Sequence, residues 1–206
     1  MRVGNIGKTV EERDIKIVEI NSNDSRLPVI FIDAGLHAPE WISTASIIFF
    51  IEKLSNMVAS GKGKKSIARF QWHILPLVNP DGYEYSRKID RNWRKNRARI
   101  PGSECIGVDL NRNFPEGYGI GASSDPCSNV YKGTHPISEP ESKALADYVR
   151  SLKNIKAAIS VHSYGNVIIY PWGHKRQKHP NVKRLRKLAR YVTRAIWKRS
   201  FVGPSV

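Results

Sequence analysis

Residues Pro28–Leu54 read PVIFIDAGLHAPEWISTASIIFFIEKL, and the change of pattern within them decides the fold class. Pro28–Ala34 is a short apolar run of strand length that stops at Gly35-Leu36-His37. From Trp41 the apolar positions recur at helical spacing, with Ile47, Phe50, Ile51, Leu54 and Val58 on one face before Gly61 and Gly63 end the pattern. A strand that runs into a helix with a histidine at the joint is an α/β unit, and such joints are where open sheets bind ligands.

Working outward, Ile15–Ile20 is a second strand, and the turn residues Asn21, Asn23 and Asp24 suggest that it lies beside Pro28–Ala34. Met1–Asp14 mixes charge with glycine and offers no apolar stretch of secretory-signal type. Downstream, Phe70–Val78 reads as a buried strand. Asn79-Pro80-Asp81-Gly82 is a turn signal that opens an irregular stretch to about His135. Ser138 and Glu141 form a capping-box pattern for a helix through Leu152, with Ala144, Leu145, Tyr148 and Val149 as its apolar stripe. Ile155–Val161 is a strand that ends at His162, Val167–Tyr170 is a short strand, and Val182, Leu185, Ala189, Val192 and Ile196 mark a basic amphipathic helix. The expectation is a single α/β domain with a mixed, mostly parallel sheet between helical layers. The longest apolar run, Ala45–Ile51, is short of the roughly 20 residues of a bilayer span, so no membrane span is predicted.

The chain has 206 residues and a formal charge of +16. Lys175–Arg199 holds eleven Lys or Arg and no acid, and Arg87–Arg99 holds seven with only Asp90 opposing. Such runs serve either as a polyanion-binding surface, through the basic helix, or as a solvated helix face with residues used locally for a substrate carboxylate. No nucleic-acid motif accompanies them. Cys105 and Cys127 are the only cysteines, too few for a four-thiolate zinc site. They are either a disulfide, which places the chain in an oxidising compartment, or two buried thiols.

His37, Glu40 and His162 supply two imidazoles and a carboxylate, a set that holds a catalytic zinc and leaves a fourth position for water. Both histidines follow predicted strands. A His-x-x-Glu step alone is common; its flanking text carries more. That text is Asp33-Ala34-Gly35-Leu36-His37-Ala38-Pro39-Glu40-Trp41-Ile42, Val78-Asn79-Pro80-Asp81-Gly82-Tyr83, Asn92-Trp93-Arg94-Lys95, Gly107-Val108-Asp109-Leu110-Asn111-Arg112-Asn113-Phe114 and Ser160-Val161-His162-Ser163-Tyr164-Gly165.

These segments, in this order, resemble the zinc carboxypeptidases of the A/B subfamily. The resemblance implies that His37, Glu40 and His162 ligate one Zn²⁺, that Arg94 stabilises the oxyanion, and that Asn111 and Arg112 grip the terminal carboxylate of a peptide or protein. It implies that Ser163 and Tyr164 line the subsite beyond the scissile bond, and that Cys105 and Cys127 form a disulfide. It further implies a carboxypeptidase-like (phosphorylase/hydrolase-like) fold, a monomer, an extracellular location and hydrolysis by zinc-activated water. Pro39 stands where many relatives have arginine. Set against the family, residues 1–206 read as a partial peptidase domain: its N-terminal helix and first strand would precede Met1, and the strand bearing the general-base glutamate would follow Val206. None of Glu104, Glu116, Glu139 and Glu141 sits in a matching segment. The alternatives are therefore an inactive protein that keeps the zinc and peptide sites, or a basic polyanion-binding module. Preference for aliphatic, aromatic or basic C-terminal residues stays open.

Overall fold

The computed structural model describes residues 1–61, 67–196 and 201–204, and the chain divides into two compact units, Met1–His162 and Ser163–Val206. The first unit contains β1 (Arg2–Lys8), β2 (Asp14–Ile20), β3 (Val29–Ala34), α1 (Trp41–Ala59), β4 (Gln71–Leu75), α2 (Pro80–Lys88), α3 (Pro140–Ser151) and β5 (Ile155–Val161). Its sheet has the order β1-β2-β4-β3-β5, with β1–β2 and β2–β4 antiparallel and β3–β4 and β3–β5 parallel. The sheet is thus mixed, as expected, with its parallel part formed by the strands that carry the histidines.

Alternation along the strands sends side chains to two separate cores. Ile15, Ile17, Phe31 and Leu75 pack on Leu145, Ala144, Tyr148 and Val149 of α3. Val18, Ile20, Ile32 and Ile74 pack on Ile47, Leu54, Phe50 and Ile51 of α1. Each helix therefore covers one face. Burying a side chain such as Leu54, which is 2% exposed, contributes about 2 kcal/mol to holding α1 down. By length and composition α1 would also suffice to cross a bilayer, which the short apolar run did not suggest; its Ser43, Thr44, Ile47 and Leu54 are buried in the fold.

Several expectations are corrected. β2 and β3 are not neighbours, because β4 lies between them: Ile74 pairs with Val18 on one side and Ile32 on the other. Local turn residues cannot reveal this, since the long return through α1 brings β4 into the gap. Arg2–Lys8, where no strand was assigned, forms β1 by pairing with β2. Asn79-Pro80-Asp81-Gly82 does not open a loop but starts α2: the Asn79 side chain accepts from the Gly82 amide at 2.9 Å, and Pro80 occupies the first turn, where its missing N–H costs nothing. The capping box before α3 does not form. The helix begins at Pro140 without a side-chain cap, and Ser138 donates to Glu139 while Glu141 accepts from the Val10 amide and Asn96. Gly63 lies outside the described residues.

The second unit pairs β6 (Val167–Tyr170) with the parallel β7 (Phe201–Pro204), and α4 (Val182–Ile196) packs on both. Ala189 is buried, and Val182, Leu185 and Val192 are half-buried. Ile196, expected on the same stripe, is exposed.

Candidate metal centre

His37 stands three residues beyond the end of β3, on a turn that requires Gly35. Gly35 has φ +67°, and a Cβ there would lie 2.6 Å from a Leu77 methyl and 2.7 Å from the Thr44 hydroxyl. The turn is held from the segment between β4 and α2, since the Val78 and Asn79 amides donate to the carbonyls of Ala34 and Gly35. Asn79, fully buried, donates from Nδ2 to the carbonyls of both Leu36 and Lys95 at 3.1 Å. The Ala38 amide donates to the Arg94 carbonyl. One asparagine and one amide thereby lock the His37 loop to the Arg94 segment. Glu40 lies at the N-terminal end of α1, and His162 follows β5, which pairs directly with β3.

The three side chains converge although 122 residues separate Glu40 from His162. His37 Nδ1 lies 2.8 Å from Glu40 Oε1, His162 Nδ1 lies 3.0 Å from Glu40 Oε2, and the two Nδ1 atoms are 3.1 Å apart. Tetrahedral zinc with bonds of about 2.0–2.1 Å sets its donors roughly 3.3 Å apart, so the cluster has the size of a zinc site.

The far sides of both rings are engaged. His37 Nε2 is 3.2 Å from Asp109 Oδ1, and His162 Nε2 is 3.2 Å from Ser160 Oγ. Ser160 spends its own proton on Asp33 Oδ2 at 2.6 Å, so its oxygen is free to accept from His162. Both imidazoles thus carry hydrogen on Nε2 and turn a lone pair on Nδ1 toward the shared space. Two facing lone pairs and a carboxylate repel one another, and a cation between them removes the repulsion. Zinc fits this donor set.

Asp109 is fully buried and joins the metal cluster to the neighbouring cation. Besides His37 it accepts from Arg94 Nε and one terminal guanidinium nitrogen, each at 3.1 Å, and from the Asn111 amide at 2.9 Å. Burial works against its charged form, but the His37 hydrogen bond and the charges of Arg94 and Arg112 prevail and hold its pKa below the ordinary value. Asp33 is pushed up to about 6 by burial.

Asn111 and Arg112 sit on a single helical turn, Leu110–Arg112, capped by the Asp109 carboxylate. Arg112 donates from Nε to the Gly121 carbonyl and from a terminal nitrogen to that of Asn111. The loop that holds them is cross-linked by the Cys105–Cys127 disulfide. Ser163 and Tyr164 begin the second unit, where Tyr164 is almost fully exposed. Sequence reasoning gave no role to Asp109, Ser160 or Asp33. A serine two residues before a ligand histidine on a strand shares its face, and that signal was available.

A family model described as zinc carboxypeptidase (Peptidase_M14) matches residues 1–201. The chain is 39% identical to carboxypeptidase A1 of Rattus norvegicus, over 93% of this chain and 46% of that protein. It is 40% identical to carboxypeptidase B2 of Bos taurus, over 90% of this chain and 45% of that one. It thus spans about half the length of the curated relatives it matches. The crystal structure of carboxypeptidase A from Helicoverpa armigera superposes with a TM-score of 0.90 at 33% identity, covering 99% of this chain and 52% of the other.

Proposed function

Because the chain belongs to the zinc carboxypeptidase family, we propose that it is the metal-binding and carboxylate-binding part of a secreted, monomeric metallocarboxypeptidase that hydrolyses the C-terminal peptide bond of peptides and proteins. In this reading residues 1–206 are one part of a single peptidase domain. The observation that carries it is the convergence of His37 Nδ1, His162 Nδ1 and the Glu40 carboxylate, with both Nε2 atoms tied behind them.

His37, Glu40 and His162 would hold the ion. When bound, zinc polarises the scissile carbonyl and makes a coordinated water acidic. The remaining roles fall to the chain's own side chains. Arg94, oriented by two hydrogen bonds to Asp109, presents its charge to the oxygen that becomes negative as the carbonyl is attacked. Arg112, with Asn111 beside it, holds the substrate's terminal carboxylate, for which a planar guanidinium is suited. Requiring that carboxylate makes the enzyme an exopeptidase. By the family resemblance, Ser163 and Tyr164 would line the subsite beyond the scissile bond.

The test combines metal titration with hydrolysis of N-blocked dipeptides carrying a free or an amidated C-terminus. The expected result is one zinc per chain, lost in His37→Ala and His162→Ala, with cleavage confined to the free carboxylate. A folded chain that takes up no zinc would overturn the reading. Zinc binding without turnover would favour a peptide-binding protein that retains the site.

A further inference from the structure

We propose that the outward face of α4 is a docking surface for a sulfated glycan chain. Within Val182–Ile196 lie Lys183, Arg184, Arg186, Lys187, Arg190 and Arg194, all exposed, and no acidic residue. The apolar positions Leu185, Ala189 and Val192 are the buried and half-buried side of the helix, which packs on the strands of its own unit, so helix packing does not consume the cationic side. Lys183, Arg186, Lys187, Arg190 and Arg194, with Tyr191, line one shared open concavity of about 400 Å³. From Lys183 to Arg194 the stripe runs about 16 Å along the helix axis. That is a linear array, suited to a linear polymer with anionic groups on successive units.

The other helices show what this protein does with cations that serve only as a solvated face. On α2, Lys88 and Arg87 pair with Glu84; on α3, Lys143 and Arg150 pair with Asp147. Those pairs sit three or four residues apart, the spacing at which opposite charges support a helix and like charges oppose it. α4 has cation against cation at that spacing, at 183/187, 186/190 and 190/194. Among the described residues no acidic side chain pairs with these cations, and a polyanion would relieve the repulsion.

Two observations favour a glycan over nucleic acid. The Cys105–Cys127 disulfide fits the extracellular location proposed above, on which this step rests, and outside the cell a sulfated glycan is a more available polyanion than nucleic acid. Exposed Tyr191, flanked by Lys187, offers an aromatic face to a sugar ring within the cationic stripe.

The experiment measures binding of a sulfated heparin-type oligosaccharide, its desulfated counterpart and duplex DNA of equal charge to the full chain, with and without zinc. Removing three cations with R186A/K187A/R190A should weaken binding by about tenfold or more and flatten its salt dependence. The charge-preserving R186K/R190K should retain binding, which separates loss of charge from loss of fold. R87A/K88A, in the other basic run, should change affinity less than twofold. Wild-type affinity in the α4 triple variant, equal affinity for the desulfated chain, or equal affinity for DNA would each overturn the proposal.

Discussion

The Nε2 atom of His162 lies 3.2 Å from the hydroxyl oxygen of Ser160, whose proton is committed to Asp33. A neutral hydroxyl backed by a buried acid thereby does for one imidazole what Asp109 does directly for the other. Partners behind a metal-binding histidine fix its tautomer and orientation, and losing one costs about 10–100-fold in metal affinity. Ser160→Ala should therefore weaken zinc binding about tenfold, measured by competition with a chelator, and Ser160→Thr should restore most of it. An unchanged zinc affinity in the alanine variant would refute this role.

Arg94 and Asp109 should separate kinetically. Removing one oxyanion donor costs about 10²–10³ in kcat. Arg94→Ala should show that loss with KM and zinc affinity little changed. Asp109→Asn should affect both activity and zinc, because the same carboxylate anchors Arg94 and His37. Equal zinc affinity in the two variants would show that Asp109 does not support the metal through His37.

Glu141 gives the fold a pH dependence independent of the site. It is fully buried, and its pKa is pushed up to about 7, first by burial and with Glu139 adding to the effect, against the hydrogen bonds from Val10 and Asn96. Because the folded value lies above the unfolded one, the neutral form stabilises the fold below about pH 4.5, and that contribution fades as pH rises to about 7. Its full size is up to about 3 kcal/mol. Glu141→Gln should keep its stability across this window while the parent protein loses it, as read from denaturant unfolding at pH 5 and pH 7.5. Parallel curves would show that Glu141 does not titrate there.

The sequence made the histidines legible because each sits where an apolar run stops, and strand ends in an α/β sheet face a common edge. α3 and α4 were legible from their apolar stripes and β5 and β6 from short apolar runs, while the capping box read before α3 does not form. The order of strands was not, because the pairing of Ile74 with both Val18 and Ile32 is a long-range choice. For the same reason Asp33 could not be read as a partner of Ser160: their contact comes from the register of β3 against β5, which pairs these two residues directly. Asp109 was hidden differently. Its neighbours Val108 and Leu110 are as buried as it is, and only the fold shows that an acid among them faces His37 and Arg94. The start of α2 was misread because Asn-Pro-Asp-Gly satisfies both a turn and a capped helix, and the burial of Asp81 and Gly82 decided for the helix.

Gly35 offers the most direct link between backbone and chemistry. Its left-handed φ disfavours any side chain, and the 2.6–2.7 Å approach of the Leu77 methyl and Thr44 hydroxyl crowds a methyl group, so Gly35→Ala strains the turn between β3 and His37. Strain of this kind costs about 1–3 kcal/mol. The larger consequence falls on the site, because Glu40 is held by α1 and His162 by β5, and neither moves with the turn. His37 alone would be displaced, leaving its Nδ1 out of range of the other two donors. Gly35→Ala should therefore lose far more zinc affinity than its stability loss accounts for, whereas Leu54→Ala, which costs about 2–5 kcal/mol in the opposite core, should lose stability with zinc affinity nearly intact. Denaturant unfolding and zinc titration on the two variants give the comparison, and equal zinc affinities would show that the turn does not position His37.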